Sequence, residues 1–275
     1  MSGAAAPGVA GSGRPAEPGG RLRDLRLIGR QVKYEQLAFW LNPVGAVFTV
    51  GFSLVFLVML GAIAGSSRVH DLHNIKLVQY YVPGFVAYGV MSACFNTLAM
   101  VLVNRRETGL LKRLRLSPLP TWMLLGAIFV STLLVAVVQV VLLLLVGRLF
   151  YGVHPPGNLA AFVLALVVGG ISFCAMGAAM STLIPNADAA GPVTSIVFFV
   201  LLFLAGLWFP LQNGSGLAKF SAYLPIRRFL LAVFAPFEGG GTSPWQWFNL
   251  LIIAIWGVAA ALIAVWRFNW SPHRD

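Results

Sequence analysis

Six stretches of this chain, Val44 to Ala64, Tyr80 to Val103, Thr121 to Gly147, Leu159 to Ile184, Ala189 to Phe209 and Trp245 to Trp266, contain no Asp, Glu, Lys, Arg or His. A bilayer's hydrocarbon core is about 30 Å thick and a helix rises about 1.5 Å per residue, so roughly 20 apolar residues cross it. Each stretch reaches that length. Inside lipid, only a helix satisfies every backbone donor and acceptor within one segment. The chain therefore reads as an all-α integral membrane protein with six transmembrane helices. No remaining segment of the 275 residues is long enough for a separate soluble domain.

The formal net charge is +11, and its placement carries more information than its size. Arg14, Arg21, Arg23, Arg26, Arg30 and Lys33 precede the first span; Arg105, Arg106, Lys112, Arg113 and Arg115 crowd the loop after the second; Arg267 and Arg274 follow the last. All of these face one side, leaving Arg68, Lys76, Arg148, Lys219, Arg227 and Arg228 for the other. The positive-inside bias puts both termini in the cytoplasm. A nucleic-acid partner is not expected, because no aromatic-basic interleaving or binding module stands outside the spans.

Residues 1–20 are rich in Ala, Gly and Pro and are expected to form a disordered tail. The first span ends in Ala62, Ile63, Ala64, a small-x-small pattern like a signal-peptide cleavage site. The long charged region before it and the length of the apolar run argue that the span is retained. From Arg21 to Trp40, Leu25, Ile28, Val32 and Phe39 recur at helical spacing beside a stripe of Arg23, Arg26, Arg30 and Lys33. This pattern predicts an interfacial amphipathic helix lying on the lipid bilayer, broken by Asn42 and Pro43 before the chain enters it. The remaining residues, 21–275, form one transmembrane domain.

Several chemistries drop out. Each Lys follows an apolar residue (Val32, Ile75, Leu111, Ala218), so no phosphate-binding loop ends in Gly-Lys-Ser/Thr. No metal site is expected: His70, Asp71 and His73 are close in sequence, but two His three apart without a further cluster read as a solvated loop. The spans hold no His, Asp or Glu, which weighs against intramembrane catalysis and against a proton-coupled transporter. Cys94 and Cys174 read as packing residues within spans. Gly170, Cys174 and Ala178 repeat every four residues, as do Gly177 and Ser181, a spacing that permits close helix contact in lipid. A lining role in a path is the other reading of Gly177 and Ser181. Asn96 and Thr97 are polar at membrane depth, suited either to hydrogen bonds between helices or to lining a passage.

The loop after the second span is basic and patterned. On a short helix Leu110, Leu111 and Leu114 share a face while Arg106, Lys112 and Arg113 project elsewhere, and Pro118 with Pro120 ends it. The run Arg106, Glu107, Gly109, Leu114, Ser117, Pro118 resembles the signature of the ABC-2 type permeases: Arg-Glu-x-Gly, a Leu-rich basic helix, then Ser/Thr-Pro. The helix before span one, the six spans, the small-residue-rich fourth span and the Gly206 to Pro210 break are similar too. The resemblance implies a permease subunit paired with a second permease copy and with two cytoplasmic ATPase subunits, in a bacterial-type plasma (inner) membrane. Catalysis is not expected of this chain, and it implies no cofactor here; ATP and Mg would sit on the partner ATPase. Arg106, Glu107, Gly109, Leu110, Leu111, Lys112, Arg113, Leu114, Ser117 and Pro118 would form the docking loop.

The resemblance also implies re-entrant outer helices between spans five and six, with Pro225, Arg227 and Arg228 near the exit of a transport path. Snorkelling to the interface is the simpler reading of the two arginines. Apolar, aromatic and small residues would line the path. That favours outward movement of an amphiphilic or lipid-like molecule, in the manner of the family's drug and antibiotic exporters. A secondary transporter or channel, needing no ATPase, is the alternative.

Overall fold

A computed structural model describes residues 20–64, 68–69, 75–108, 121–206, 216–238 and 243–267. Helix α1 is Gly20–Trp40. Helix α2 runs from Pro43–Ala46 through a π-helical turn, Val47–Gly51, into Phe52–Ala64. Helix α3 does the same, from Leu77–Met91 through a π-helical segment, Ser92–Thr97, into Leu98–Glu107. Helices α4 (Thr121–Tyr151), α5 (Leu159–Leu183) and α6 (Ala187–Ala205) follow. Two short helices, α7 (Gly216–Ser221) and α8 (Pro225–Phe234), come before the last, α9 (Trp247–Arg267). Among the described residues the only strands are β1 (Arg68–Val69) and β2 (Ile75–Lys76), a two-residue antiparallel pair.

Helices α2 to α6 and α9 are the six long and apolar enough to cross a bilayer, in agreement with the six charge-free stretches. Their ends differ from the ends of those stretches. α3 continues through Arg105, Arg106 and Glu107, and α4 passes Arg148, because charged residues with long side chains are good helix formers and the backbone ladder does not stop where lipid does. α6 stops at Ala205, short of Phe209, because Gly206 takes a left-handed φ of 78° and returns its N–H to the Phe203 carbonyl. Three spans open on the side-chain oxygen of an Asn. Asn42 accepts from the Gly45 amide at 3.2 Å, Asn158 from Ala161 at 2.9 Å and Asn186 from Ala189 at 2.9 Å.

The centre of the bundle is α3. Within the best apolar window of each span, 78% of its residues are buried, against 22–44% for the other five. It touches α2, α4, α5, α6 and α8, while α9 packs along α5 on the flank. Phe85, Leu98 and Leu102 of α3 join Phe173, Phe198 and Phe229 in one continuous apolar core. Close approach rests on small residues. A Cβ on Gly177 would lie 2.8 Å from the backbone oxygens of both Cys94 and Phe95, so α5 can seat on α3 only where that atom is missing. Cys94 and Cys174, on the two facing helices, are buried, adjacent and unbridged.

Residues 1–19, including nearly all of the expected tail, lie outside the described residues, as do His70 and His73. Gly177→Ala is expected to push α3 and α5 apart and to destabilise the protein by about 1–3 kcal/mol. Gly126→Ala, whose Cβ would meet nothing within 4 Å, should not lower the thermal unfolding temperature in detergent and should raise it slightly, Ala being the better helix former.

Candidate functional site

Three groups of polar side chains interrupt the apolar bundle, and two of them meet at the α1 end. α1 lies along α4: Gln36 Nε2 donates to the Ser131 carbonyl at 2.7 Å and to its hydroxyl oxygen at 2.8 Å. Ile28, Val32 and Phe39 are half-buried, Ile28 beside Met123 and Leu124 of α4, and Arg26, Arg30 and Lys33 are exposed. The apolar residues that α1 leaves exposed are Tyr34, Leu37, Trp40 and the following Leu41. Ile28, Val32 and Phe39 of the expected stripe therefore turn toward the protein itself, the Leu25 side chain lying outside the described residues, while a second apolar row faces outward.

Next to Gln36 in the chain, Glu35 is buried and takes a two-pronged ion pair from Arg105, with Nη1 to Oε1 at 2.8 Å and Nη2 bonded to Oε2. Sequence reasoning passed over Glu35. Its signal was an acid in a basic helix, readable only once α1 and the end of α3 are known to meet.

Arg106 is also inside the fold, only 4% exposed. Its Nη2 donates to the carbonyls of Ile184 at 2.7 Å and Pro185 at 3.0 Å, its Nη1 to Ser181 at 3.3 Å, and its Nε to Glu107 at 3.2 Å. A helix leaves its last carbonyls without partners. α5 ends at Ile184 in extended backbone with no glycine cap, so the five-donor guanidinium closes that end. Arg106 is thus a clamp between α3 and α5, and Glu107 is its half-buried counter-ion. Gly109, Leu110, Leu111, Lys112, Arg113, Leu114, Ser117 and Pro118 lie outside the described residues.

Behind the Glu35 pair is a cavity of about 260 Å³, bounded by α1, α2, α3 and α4 and lined with Asn42, Thr97, Asn104, Ser131 and Thr132 as well as the ion pair. Thr97 lines this cavity, and its hydroxyl lies 3.2 Å from that of Thr49 on α2. Thr49 and Thr97 belong to the two π-helical segments, a form of turn that recurs at functional sites. Gln139 of α4 donates to the Thr49 carbonyl at 2.9 Å and to the Ser53 hydroxyl at 2.8 Å. The side-chain oxygens of Gln139 and Asn96 are buried without a protein partner. Ser181 turns back on its own helix, donating to Ala178 at 2.7 Å. An open groove of about 350 Å³ runs between α4 and α5 on the outside of the bundle, apolar throughout, with Val137, Val141, Val163, Val167 and Ile171 exposed along it.

The third polar group lies at the opposite end, on α8. Pro225 is the first residue of this helix and is buried. Phe229 fills the notch at Gly169 of α5, where a Cβ would meet its ring at 2.1 Å, and meets Phe173 edge-on at 5.2 Å. The turn before α8 is held at Trp256 of α9, whose Nε1 donates to the Tyr223 carbonyl at 3.1 Å. Arg227 donates to Ser221 at 3.0 Å; Arg228 donates to the Ala222 carbonyl at 2.6 Å and to Asn249 at 2.9 Å, and lies 5.0 Å from the centre of the Phe248 ring. Burial draws the Arg228 pKa down from its ordinary value, and Arg227 acts in the same direction. The guanidinium remains a cation at physiological pH.

Six bilayer-length helices, one of them buried at the centre of the bundle, with polar groups at both ends and a cavity near one, define a multi-pass helical membrane protein. Residues 66–266 match the model of the ABC-2 family transporter proteins, which is most of the chain, and the chain belongs to that family. It is 27% identical over 140 residues to a protein of Escherichia coli K12 named as a multidrug ABC transporter permease, YbhR. That match takes in 51% of this chain and 38% of YbhR. It is 22% identical over 176 residues to a protein of Bacillus subtilis strain 168 named as a transport permease, YvfS, covering 63% of this chain and 70% of that one.

Arg106→Ala is expected to strand the carbonyls at the end of α5 and to destabilise the protein by about 3 kcal/mol, since each buried unsatisfied group costs about 1–3 kcal/mol and water reaches some of them. Arg106→Lys should recover less than half of that loss, having no fork to span three carbonyls. Glu35→Gln should cost about 1.5–3 kcal/mol in the docking of α1, the range for hydrogen bonds to charged groups. Hydrogen exchange along α1 would report it.

Proposed function

We propose that this chain is the membrane-spanning permease subunit of an ABC exporter that moves amphiphilic or lipid-like molecules outward, driven by separate ATPase subunits. A working transporter would hold two permease copies and two ATPases, with ATP and Mg bound on the latter. The α1 end faces the cytoplasm, in keeping with the basic residues gathered there. α1 then lies at the inner membrane surface, with Arg26, Arg30 and Lys33 toward headgroups and the Tyr34, Leu37 and Leu41 row toward acyl chains.

The observation that carries this reading is the wiring of Arg105 and Arg106. These neighbours at the end of the most buried span hold α1 through Glu35 and the end of α5 through its last carbonyls. The loop that follows them, Glu107 to Pro118, begins at that junction. A partner pressing on its basic and leucine residues acts on three helices at once, and alternating access needs such a concerted displacement. The cavity beside Thr97, whose largely apolar wall carries Asn42, Asn104, Ser131 and the Glu35–Arg105 pair, offers both apolar surface and polar partners to an amphiphile on the cytoplasmic side.

On the outer side, α7 and α8 act as a re-entrant hairpin. Tyr223 at its turn bonds Trp256, nine residues into α9 from Trp247, which is roughly 14 Å along the helix. The hairpin thus reaches well into the outer leaflet, where its movement opens or closes the exit.

Efflux of a fluorescent amphiphile from cells is expected to require both this chain and its ATPase partner. Lys112→Glu together with Arg113→Glu should abolish it while leaving the chain folded and in the membrane. Efflux by the chain alone, stopped by an uncoupler, would make it a secondary transporter.

A further inference from the structure

We propose that Arg227 and Arg228 form a binding site for the phosphate of an outer-leaflet lipid. Two guanidinium groups carry ten N–H donors. Three of these are engaged here, by the Ser221 hydroxyl, the Ala222 carbonyl and the Asn249 side chain, and every one of those acceptors is neutral. The ion pairs among the described residues are Glu35 with Arg105 and Arg106 with Glu107, and no carboxylate of a described residue pairs with Arg227 or Arg228.

The local electrostatics sharpen this imbalance. Both arginines stand in the first turn of α8, where the helix dipole is already positive, and Leu224 at the cap position supplies no side-chain acceptor. Two cations beside an uncapped helix start repel one another and the helix end, unless an anion lies among them. The side chains are nonetheless held in place. Ser221 and Asn249, which orient the two forks, are buried, and Asn249 is itself fixed by a bond to Gln246 at 2.9 Å. A pair of arginines snorkelling freely to water would need no such support.

Position selects the anion. The hairpin turn lies at the depth of Trp256, and the Arg228 fork points back toward Asn249, three residues into α9. That path runs from the outer leaflet's acyl region to its headgroups, where lipid phosphates lie. Phe220, Tyr223, Trp247 and Phe248 are exposed around it and offer an aromatic collar for the glycerol and upper acyl chains. Arginine forks match a phosphate's paired oxygens. The site rests on the outer-leaflet placement of the hairpin and not on ATP-driven transport, so lipid binding and ATPase-dependent efflux can fail separately.

The test is native mass spectrometry of the full chain in detergent, titrated with phosphatidylglycerol. Arg227→Gln with Arg228→Gln is expected to lower lipid retention about tenfold or more, as the loss of two charge-assisted forks would. Arg148→Gln, which removes an exposed cation on α4 away from the site, should leave it unchanged. Diacylglycerol with the same chains, lacking phosphate, should not be retained by the native chain. Equal retention by the double variant, or of diacylglycerol, overturns the proposal. Displacement of the lipid by millimolar inorganic phosphate would make a free oxyanion the ligand and overturn the lipid assignment. Should the double variant fail to fold, Arg227→Gln alone, which gives up a single bond to Ser221, carries the same test with a smaller expected loss.

Discussion

Lipid tails are as apolar as leucine, so burying one apolar helix against another inside a bilayer gains little from the hydrophobic effect. What holds this bundle is the fit of its neighbours around α3, made possible where a side chain is missing, as at Gly177, and fastened by a few hydrogen bonds. The carbonyls of Cys94 and Phe95 face the bare Gly177 backbone, and that contact sets the distance between α3 and α5. Once the distance is set, Arg106 at the end of α3 can reach the open end of α5. The shape of the middle and the chemistry of the end support each other.

The placement of polar groups follows from the same scarcity of water. At mid-depth they are neutral: Thr49, Ser53, Thr97 and Gln139 exchange hydrogen bonds across α2, α3 and α4, two of them within π-helical segments. Full charges occur only at the ends. At the α1 end the ones drawn into the fold are paired, Glu35 with Arg105 and Glu107 with Arg106, and their rigid geometry ties helices together, while Arg26, Arg30 and Lys33 stay exposed. At the hairpin end Arg227 and Arg228 are held by neutral acceptors only. The buried charges at the α1 end are thus neutralised within the fold, beneath the exposed Arg26, Arg30 and Lys33, whereas those at the hairpin end are not.

Much of this was legible in the residues. Six uncharged stretches of bilayer length admit one kind of backbone, and the Asn-Pro break before α2 stands where the sequence puts it. The glycine that ends α6 was visible as the start of the Gly206 to Pro210 break, although the helix ends several residues before the apolar run does. The loop signature and the family match agree on an ABC-2 transporter protein. Arg106 was read as part of the docking loop, projecting away from the leucine face of a short helix. Nothing in the local sequence reveals that the end of α5, 75 and more residues further on, lacks a cap and stands within reach.

The sequence by itself determined the number of spans, the helical class and the side on which positive charge collects, because each of these depends on local composition measured against the thickness and polarity of a bilayer. Only the tertiary structure decided which span is central, which of the two neighbouring arginines holds α1 and which holds α5, and that the hairpin turn meets α9 at Trp256. These depend on which surfaces fit, and complementarity between segments far apart in the chain leaves no periodic trace in either one.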